Sequence, residues 1–229
     1  MNKELIIFGS NGALGTGVTK VLTKKDFGKV YLFDFKFNSE SNDDNIKQLV
    51  IQDLSIEENV IKAYTNILPD KEKYFFLFST IGGFHGGVPL WETDVNDFDK
   101  MININLKTNY LIAKHFSQLL KNSAGGSLCF TSAHVGSHPE QNKSIYGASK
   151  AALSHLVKSF SAEGKKLRLS VNAIAPYIID TEANRSWMKK ADFEDMMKPE
   201  ELGELVNSIF INFNFVSGNI IELKLRFNL

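Results

Sequence analysis

The chain has 229 residues, 43% of them hydrophobic, enough for one α/β domain with a sizeable core. Its 26 Lys and Arg balance 26 Asp and Glu, so no net field draws in a polyanion, and neither nucleic acid nor an acidic membrane surface is an expected partner. A single cysteine, Cys129, excludes an internal disulfide and suits a reducing compartment, read here as the cytoplasm; the apolar run from Leu5 to Phe8 is too short for a signal peptide or a membrane span.

Apolar runs alternate with helical patterns from end to end. Strands are predicted over residues 5–8, 30–33, 48–52, 74–79, 127–132, 168–174 and 219–223. Several are apolar without a break, as strands covered on both faces are. Helices are predicted over 15–24, 60–68, 97–120, 145–164 and 199–210. Ser55 and Glu58 have capping-box spacing ahead of the second, and Pro199 suits the first position of the last. Between Asp97 and Leu120 the residues Phe98, Met101, Ile102, Asn105, Ile112, Phe116 and Leu119 fall on roughly one side. Residues 38–45 read as a polar surface loop. Residues 182–197, with Trp187, Met188, Met196 and Met197, read either as a lid over substrate or as a packed helix pair. This alternation implies an α/β domain spanning 1–229: a doubly wound, mainly parallel sheet of seven strands with helices on both faces, three layers in all.

The first strand runs straight into Gly9-Ser10-Asn11-Gly12-Ala13-Leu14-Gly15. Three glycines at intervals of three let a backbone turn tightly and approach a ligand. The following helix would aim free N–H groups and its positive dipole end at that ligand, which suits a pyrophosphate. Asp34 closes the second strand, where a carboxylate accepts both ribose hydroxyls of an adenosine and repels a 2′-phosphate. NAD(H) is therefore expected over NADP(H), with Lys36 close enough to weaken the preference. Asp53, after the third strand, reads either as a contact to the adenine amino group or as a helix cap.

Tyr146-Gly147-Ala148-Ser149-Lys150 carries the chemistry. Tyr and Lys four apart on a helix share a face. A free phenol, with a pKa of about 10, is a poor acid–base catalyst near neutrality, and an adjacent ammonium lowers that value. The pair could then exchange a proton with a reacting oxygen or nitrogen. Ser132 closes the fifth strand just upstream and is expected to orient the substrate. Asn105, a polar residue on an apolar helix face, is expected either to hold a water relaying protons to Lys150 or to be a satisfied core amide.

These residues resemble the short-chain dehydrogenase/reductase family over essentially the whole chain. The resemblance maps the family's Tyr-x-x-x-Lys pair onto Tyr146 and Lys150, its helix Asn onto Asn105, and its strand-end Ser onto Ser132. Ser132 lies 14 residues before Tyr146, where 13 is commoner, and Ala133 stands at the commoner separation. Other departures are Ala13 in the glycine loop, Ser79-Thr80-Ile81-Gly82-Gly83 in place of Asn-Asn-Ala-Gly, and Tyr177 after Pro176 where Gly is usual. They are similar to the dihydropteridine reductase branch, with its Gly-x-x-Gly-Ala-Leu-Gly loop, its Gly-Gly-aromatic-x-Gly-Gly segment (here Gly82 to Gly87), a partly matched stretch at Ile179 to Arg185, and Ala191-Asp192-Phe193. That branch carries Ala in place of the catalytic Ser. Phe84 stands where it has Trp, while Asn105 and Ser132 are those of ordinary members.

The resemblance implies NADH-dependent hydride transfer, with the cofactor held by Gly9, Asn11, Gly12, Ala13, Leu14, Gly15, Asp34, Asp53, Leu54, Thr80, Ile81, Gly82, Gly83, Tyr146, Lys150, Pro176, Ile179 and Thr181. Phe84, His85, Ala133, His134 and Tyr177 are candidate substrate contacts. Two substrate classes remain: a flat heterocycle such as a quinonoid dihydropterin, favoured by the glycine-aromatic loop, and a carbonyl or secondary alcohol, favoured by Asn105 and Ser132. An NAD(H)-binding sensor without turnover is the non-enzymatic rival. The resemblance also implies a homodimer or homotetramer paired through the helices from Asp97 to Leu120 and from Ile145 to Gly164. No spacing among His85, His134 and His138 suggests a metal site, and Cys129 reads as an inert core residue.

Overall fold

β1 (Asn2–Phe8), β2 (Lys29–Asp34), β3 (Ile46–Val50), β4 (Lys73–Ser79), β5 (Gly125–Thr131), β6 (Leu169–Pro176) and β7 (Ile220–Leu223) lie side by side in the order β3-β2-β1-β4-β5-β6-β7. Every pairing is parallel. The structure, a computed structural model, describes residues 2–224, with side chains outside 190–192. All seven predicted strands are present; the third lies two residues earlier than expected.

The unbroken apolar strands are buried on both sides because successive side chains point to opposite faces. Ile6 and Phe8, with Phe75, Leu77, Leu128 and Phe130, meet the helices of one face. Leu5 and Ile7, with Phe76, Phe78 and Cys129, meet those of the other. The first face carries α2 (Glu57–Tyr64), α4 (Thr108–Leu120) and α5 (Ser144–Gly164); the second carries α1 (Ala13–Leu22) and α7 (Pro199–Ile211). Each fully buried Phe or Leu here contributes on the order of 1.5–3 kcal/mol. Among the described residues, no helix is long and apolar enough to cross a membrane.

Three local expectations are corrected. Ser55 caps nothing: α2 begins after Ile56 with no side-chain cap, and Ser55 instead donates its backbone N–H to Asp53. The predicted helix over 97–120 is broken into α3 (Val95–Ile102), a π-helical turn at Asn103–Lys107, and α4. The wide turn shifts the helical register, so the single apolar side fails upstream of it; Phe98 is 45% exposed although Met101, Asn105, Ile112, Phe116 and Leu119 are buried. Residues 182–197 are not a packed helix pair. They hold only α6 (Glu182–Arg185) and a 3₁₀ segment, Lys190–Asp195, before Met197 pairs with Ile179 in a parallel bridge.

Candidate active site

The strand order reverses at β1, so β2 and β4 leave it in opposite directions and their connections part above its carboxyl end. A parallel sheet opens a crevice at such a point. The glycine loop follows β1, Asp34 ends β2, Thr80 to Gly87 follow β4, Ser132 and Ala133 follow β5, and Tyr177 follows β6.

One half of the crevice is made of backbone. Gly9 has φ +77°, the left-handed region that glycine enters without strain, and its N–H and that of Ser10 both donate to the Phe33 carbonyl at 2.8 and 3.2 Å. A methyl group on Gly15 would stand 1.8 Å from the Gly9 carbonyl oxygen, so helix α1 can start this close only because Gly15 has no side chain. Gly12 is the N-cap and no side chain caps α1, leaving its first N–H groups for an anion. Asp34 accepts the Asn11 N–H at 2.7 Å on Oδ2 and the Phe35 N–H at 2.8 Å on Oδ1. Each oxygen keeps acceptor capacity for a ribose hydroxyl. This cradle fits the pyrophosphate and adenosine of a dinucleotide. Asn11 pins it to the chain just beyond β2 by donating to the Lys36 carbonyl at 3.1 Å.

Two residues assigned to the same end follow β3, beside β2. Asp53 is exposed and its carboxylate accepts the Ser55 N–H at 2.8 Å, a local turn ahead of α2 and not a cap on the helix, which has no side-chain cap. Leu54 is buried in the core between sheet and helices, as its apolar side chain requires. Thr80 bonds the Gly9 carbonyl at 2.8 Å, Ile81 packs against one core and Ile179 against the other, Pro176 ends β6, and Thr181 caps α6 by accepting the Asn184 N–H at 3.2 Å.

The other half is made of side chains. Tyr146 and Lys150 lie one turn apart on α5, Tyr146 half-buried and Lys150 buried. Lys150 Nζ donates to the Thr131 carbonyl at 2.8 Å, and a Cβ on Gly82 would stand 2.8 Å from it, so the glycine loop after β4 rests directly on the ammonium. Burial lowers the Lys150 pKa to about 8. Burial and then the charge of Glu140 push the Tyr146 hydroxyl up to about 12. The expected lowering of the phenol by Lys150 is absent in this resting arrangement, in which the ammonium is held at Thr131.

Asn105 is fully buried at the π-helical turn. Its Oδ1 accepts the Gly83 N–H at 2.9 Å, and its Nδ2 donates to the Gly83 carbonyl and to Ser149 Oγ, both at 3.0 Å. Both amide hydrogens are thus used and Oδ1 keeps one acceptor site; the contacts make Asn105 a latch on the glycine loop, close to the satisfied core amide of the alternative reading. Ser132 Oγ bonds Ser154 Oγ at 2.7 Å and donates to the Lys150 carbonyl at 3.2 Å. Its hydroxyl is committed to helix α5, which corrects its expected role toward substrate. The reason is parity: Leu128 and Phe130 face the α4–α5 side, and Ser132 continues that face. Ala133 is left at the strand end.

Around the mouth, Phe84 is 62% exposed and meets Tyr146 edge-on, ring centroids 5.0 Å apart. His85 Nδ1 lies 3.5 Å from Asp97. Tyr177 meets His134 edge-on at 5.3 Å. Burial, then the neighbouring His138, lowers the His134 pKa. Sequence reasoning missed Asn109, whose Oδ1 accepts from Ser79 Oγ at 2.7 Å while its Nδ2 donates to the carbonyls of Ile81 and Asn105. The signal was available: a second polar residue one turn beyond Asn105 on the same apolar face.

A family model described as short chain dehydrogenase matches residues 3–192. A dihydropteridine reductase of Dictyostelium discoideum is 28% identical over 206 residues, 89% of this chain and 86% of that protein. The Sus scrofa protein called dehydrogenase/reductase SDR family member 4 is 27% identical over 221 residues, 90% of this chain and 76% of its own. Among solved structures, one described as ElxO with NADP bound superimposes with a TM-score of 0.81 over 97% of both chains at 22% identity, a likeness of fold.

Proposed function

We propose a function from one premise: the chain belongs to the short chain dehydrogenase family. It is an NAD(P)H-dependent oxidoreductase of a small-molecule substrate. The finer assignment is that it uses NADH to reduce a flat, dihydropterin-like heterocycle, with Tyr146 as proton donor. The reduced nicotinamide, when bound, supplies the hydride.

Each residue's part follows from its surroundings. The free N–H groups at the start of α1 take the pyrophosphate, and Asp34 takes the adenosine ribose and disfavours a 2′-phosphate. Lys150, whose ammonium lies against Gly82, would hold the nicotinamide ribose. Tyr146, with its pKa pushed up to about 12, stays protonated at neutral pH, the state a reductase needs in its proton donor. The buried cation one turn away stabilises the phenolate left behind once it is freed from Thr131.

One observation carries the substrate class: Ser132 spends its hydroxyl on α5 and leaves Ala133 at the end of β5. A carbonyl oxygen is polarised best by two donors, whereas a ring nitrogen needs one proton and a flat apolar contact. Tyr146 offers the proton, and exposed Phe84 beside it offers the contact. The named relative from Dictyostelium supports the same class. NADH consumption should be measured with a quinonoid dihydropterin generated in the assay, and with a panel of ketones and aldehydes. Turnover of the pterin with little of the carbonyls is expected. Preferential turnover of carbonyls would overturn the substrate class, and tight NADH binding with no turnover of either would favour the sensor. We also propose that copies pair through α5 and the segment from α3 through the π-helical turn to α4, where Ile102, Leu106, Tyr110 and Leu156 line an apolar surface groove of ≈ 340 Å³; a concentration-independent monomer in sedimentation would refute it.

A further inference from the structure

Beside the crevice lies a cluster that the reaction above does not use. His134 and His138 follow β5 one turn apart, the His138 N–H donating to the His134 carbonyl at 3.0 Å. Their imidazoles stack with centroids 4.0 Å apart at 13°. Glu222 approaches from the edge strand β7, its Oε2 3.8 Å from His138 Nδ1. One donor atom from each residue lies within 4.8 Å of the other two, the only such group of three or more His, Cys, Asp or Glu among the described residues.

A second observation points to a ligand. His134 Nδ1 is buried and has no hydrogen-bond partner. A buried polar atom left unpaired costs roughly 1–3 kcal/mol, and a bond to a metal would remove that cost.

We propose that His134, His138 and Glu222 form a binding site for a borderline divalent transition metal of the zinc class. Two imidazoles and one carboxylate are a donor set for zinc, copper or nickel rather than for magnesium or calcium, which take oxygen ligands. Three protein ligands leave a fourth position for water or an added anion. Stacked rings aim their lone pairs along parallel planes, so binding requires at least one imidazole to turn and break the stack. His138 is exposed and free to do so. The charge of Glu140 favours a cation here and that of Lys224 opposes it; Lys224 is exposed, with its ammonium 4.7 Å from the Tyr177 ring, and can swing outward.

The test needs neither cofactor nor substrate, so its outcome is independent of the proposed reaction. The full chain, treated with chelator, is titrated with cobalt(II) and read by its visible absorption, then with zinc(II) as competitor. One equivalent of cobalt should bind saturably and be displaced by zinc. His138→Ala and Glu222→Gln, both at exposed positions, should each weaken binding at least about tenfold, since even outer-shell changes cost that much. Thermal melts of the metal-free variants should match the parent. The absence of saturable binding at one equivalent, or binding unchanged in both variants, overturns the site.

Discussion

The two halves of the crevice are built from different materials. The phosphate half is backbone: a left-handed glycine, a glycine packed on a carbonyl, and uncapped N–H groups at a helix start. The chemical half is side chains: a buried ammonium, a phenol, and two buried amides that hold the loop above them. The first half depends on what is absent from each residue, the second on which atoms each residue carries. Substitutions should therefore damage the two halves in different ways, binding in one and turnover in the other.

The division predicts its sharpest effect at Tyr146. Removing only the hydroxyl, in Tyr146→Phe, should lower kcat by about 10²- to 10⁴-fold, with the NADH dissociation constant within about twofold of the parent. Full activity in that variant would break the division, because the proton would then come from another group.

Lys150 gives the next largest signal, in stability rather than rate. Its folded pKa is depressed from 10.5 to about 8, so between those values the folded chain has released a proton that the unfolded chain still holds. Stability contributed at this position must rise with pH across that window, by on the order of 3 kcal/mol in full. Urea melts of the parent and of Lys150→Met at stepped pH isolate it from the tyrosines, whose ionisation in the unfolded chain above pH 10 acts the opposite way. A difference between the two proteins that stays flat from pH 8 to 10.5 would mean that the ammonium is solvated.

In the backbone half, Gly15→Ala places a methyl 1.8 Å from the Gly9 carbonyl oxygen. Relieving it should cost roughly 1–3 kcal/mol, seen as a lower melting temperature together with weaker NADH binding. Unchanged binding would show that the loop adapts. Smallest of all, Asp34→Ser should narrow the preference for NADH over NADPH by about tenfold in kcat/KM, since one carboxylate beside one 2′-phosphate is worth on the order of 1.4 kcal/mol. Equal use of both cofactors by the parent would remove that preference from the reading.

The same contrast explains what could be read from the chain alone. Glycine spacing, strand-end acids and unbroken apolar strands are local patterns, so the fold, and the place of the glycine turn and of Asp34 at the crevice, were legible. The chemical half depends on partners far apart in sequence. Asn105 read either as a proton relay or as a satisfied core amide, and only the fold shows Gly83 bonded to its amide on both sides. Ser132 was assigned to substrate from its place at the strand end, although the alternation of Leu128 and Phe130 already placed it toward α5. The break in the long helix left no mark in the hydrophobic pattern, which puts Phe98 in line with Met101 although it is half exposed in the structure. His134 and Glu222 are brought together only by the pairings of β5 with β6 and of β6 with β7.

The wide turn at Asn103–Lys107 limits how this protein can vary over generations. It contains one amino acid more than a regular helix would use, and no exchange of one letter for another takes that residue away. Only a deletion does, and a deletion would swivel everything on its upstream side by about 100° relative to Thr108 and beyond. Asn105 would let go of Gly83, and the loop over Lys150 would lose its fastening. Descendants of this gene can respell the segment freely in places, yet they must conserve its length.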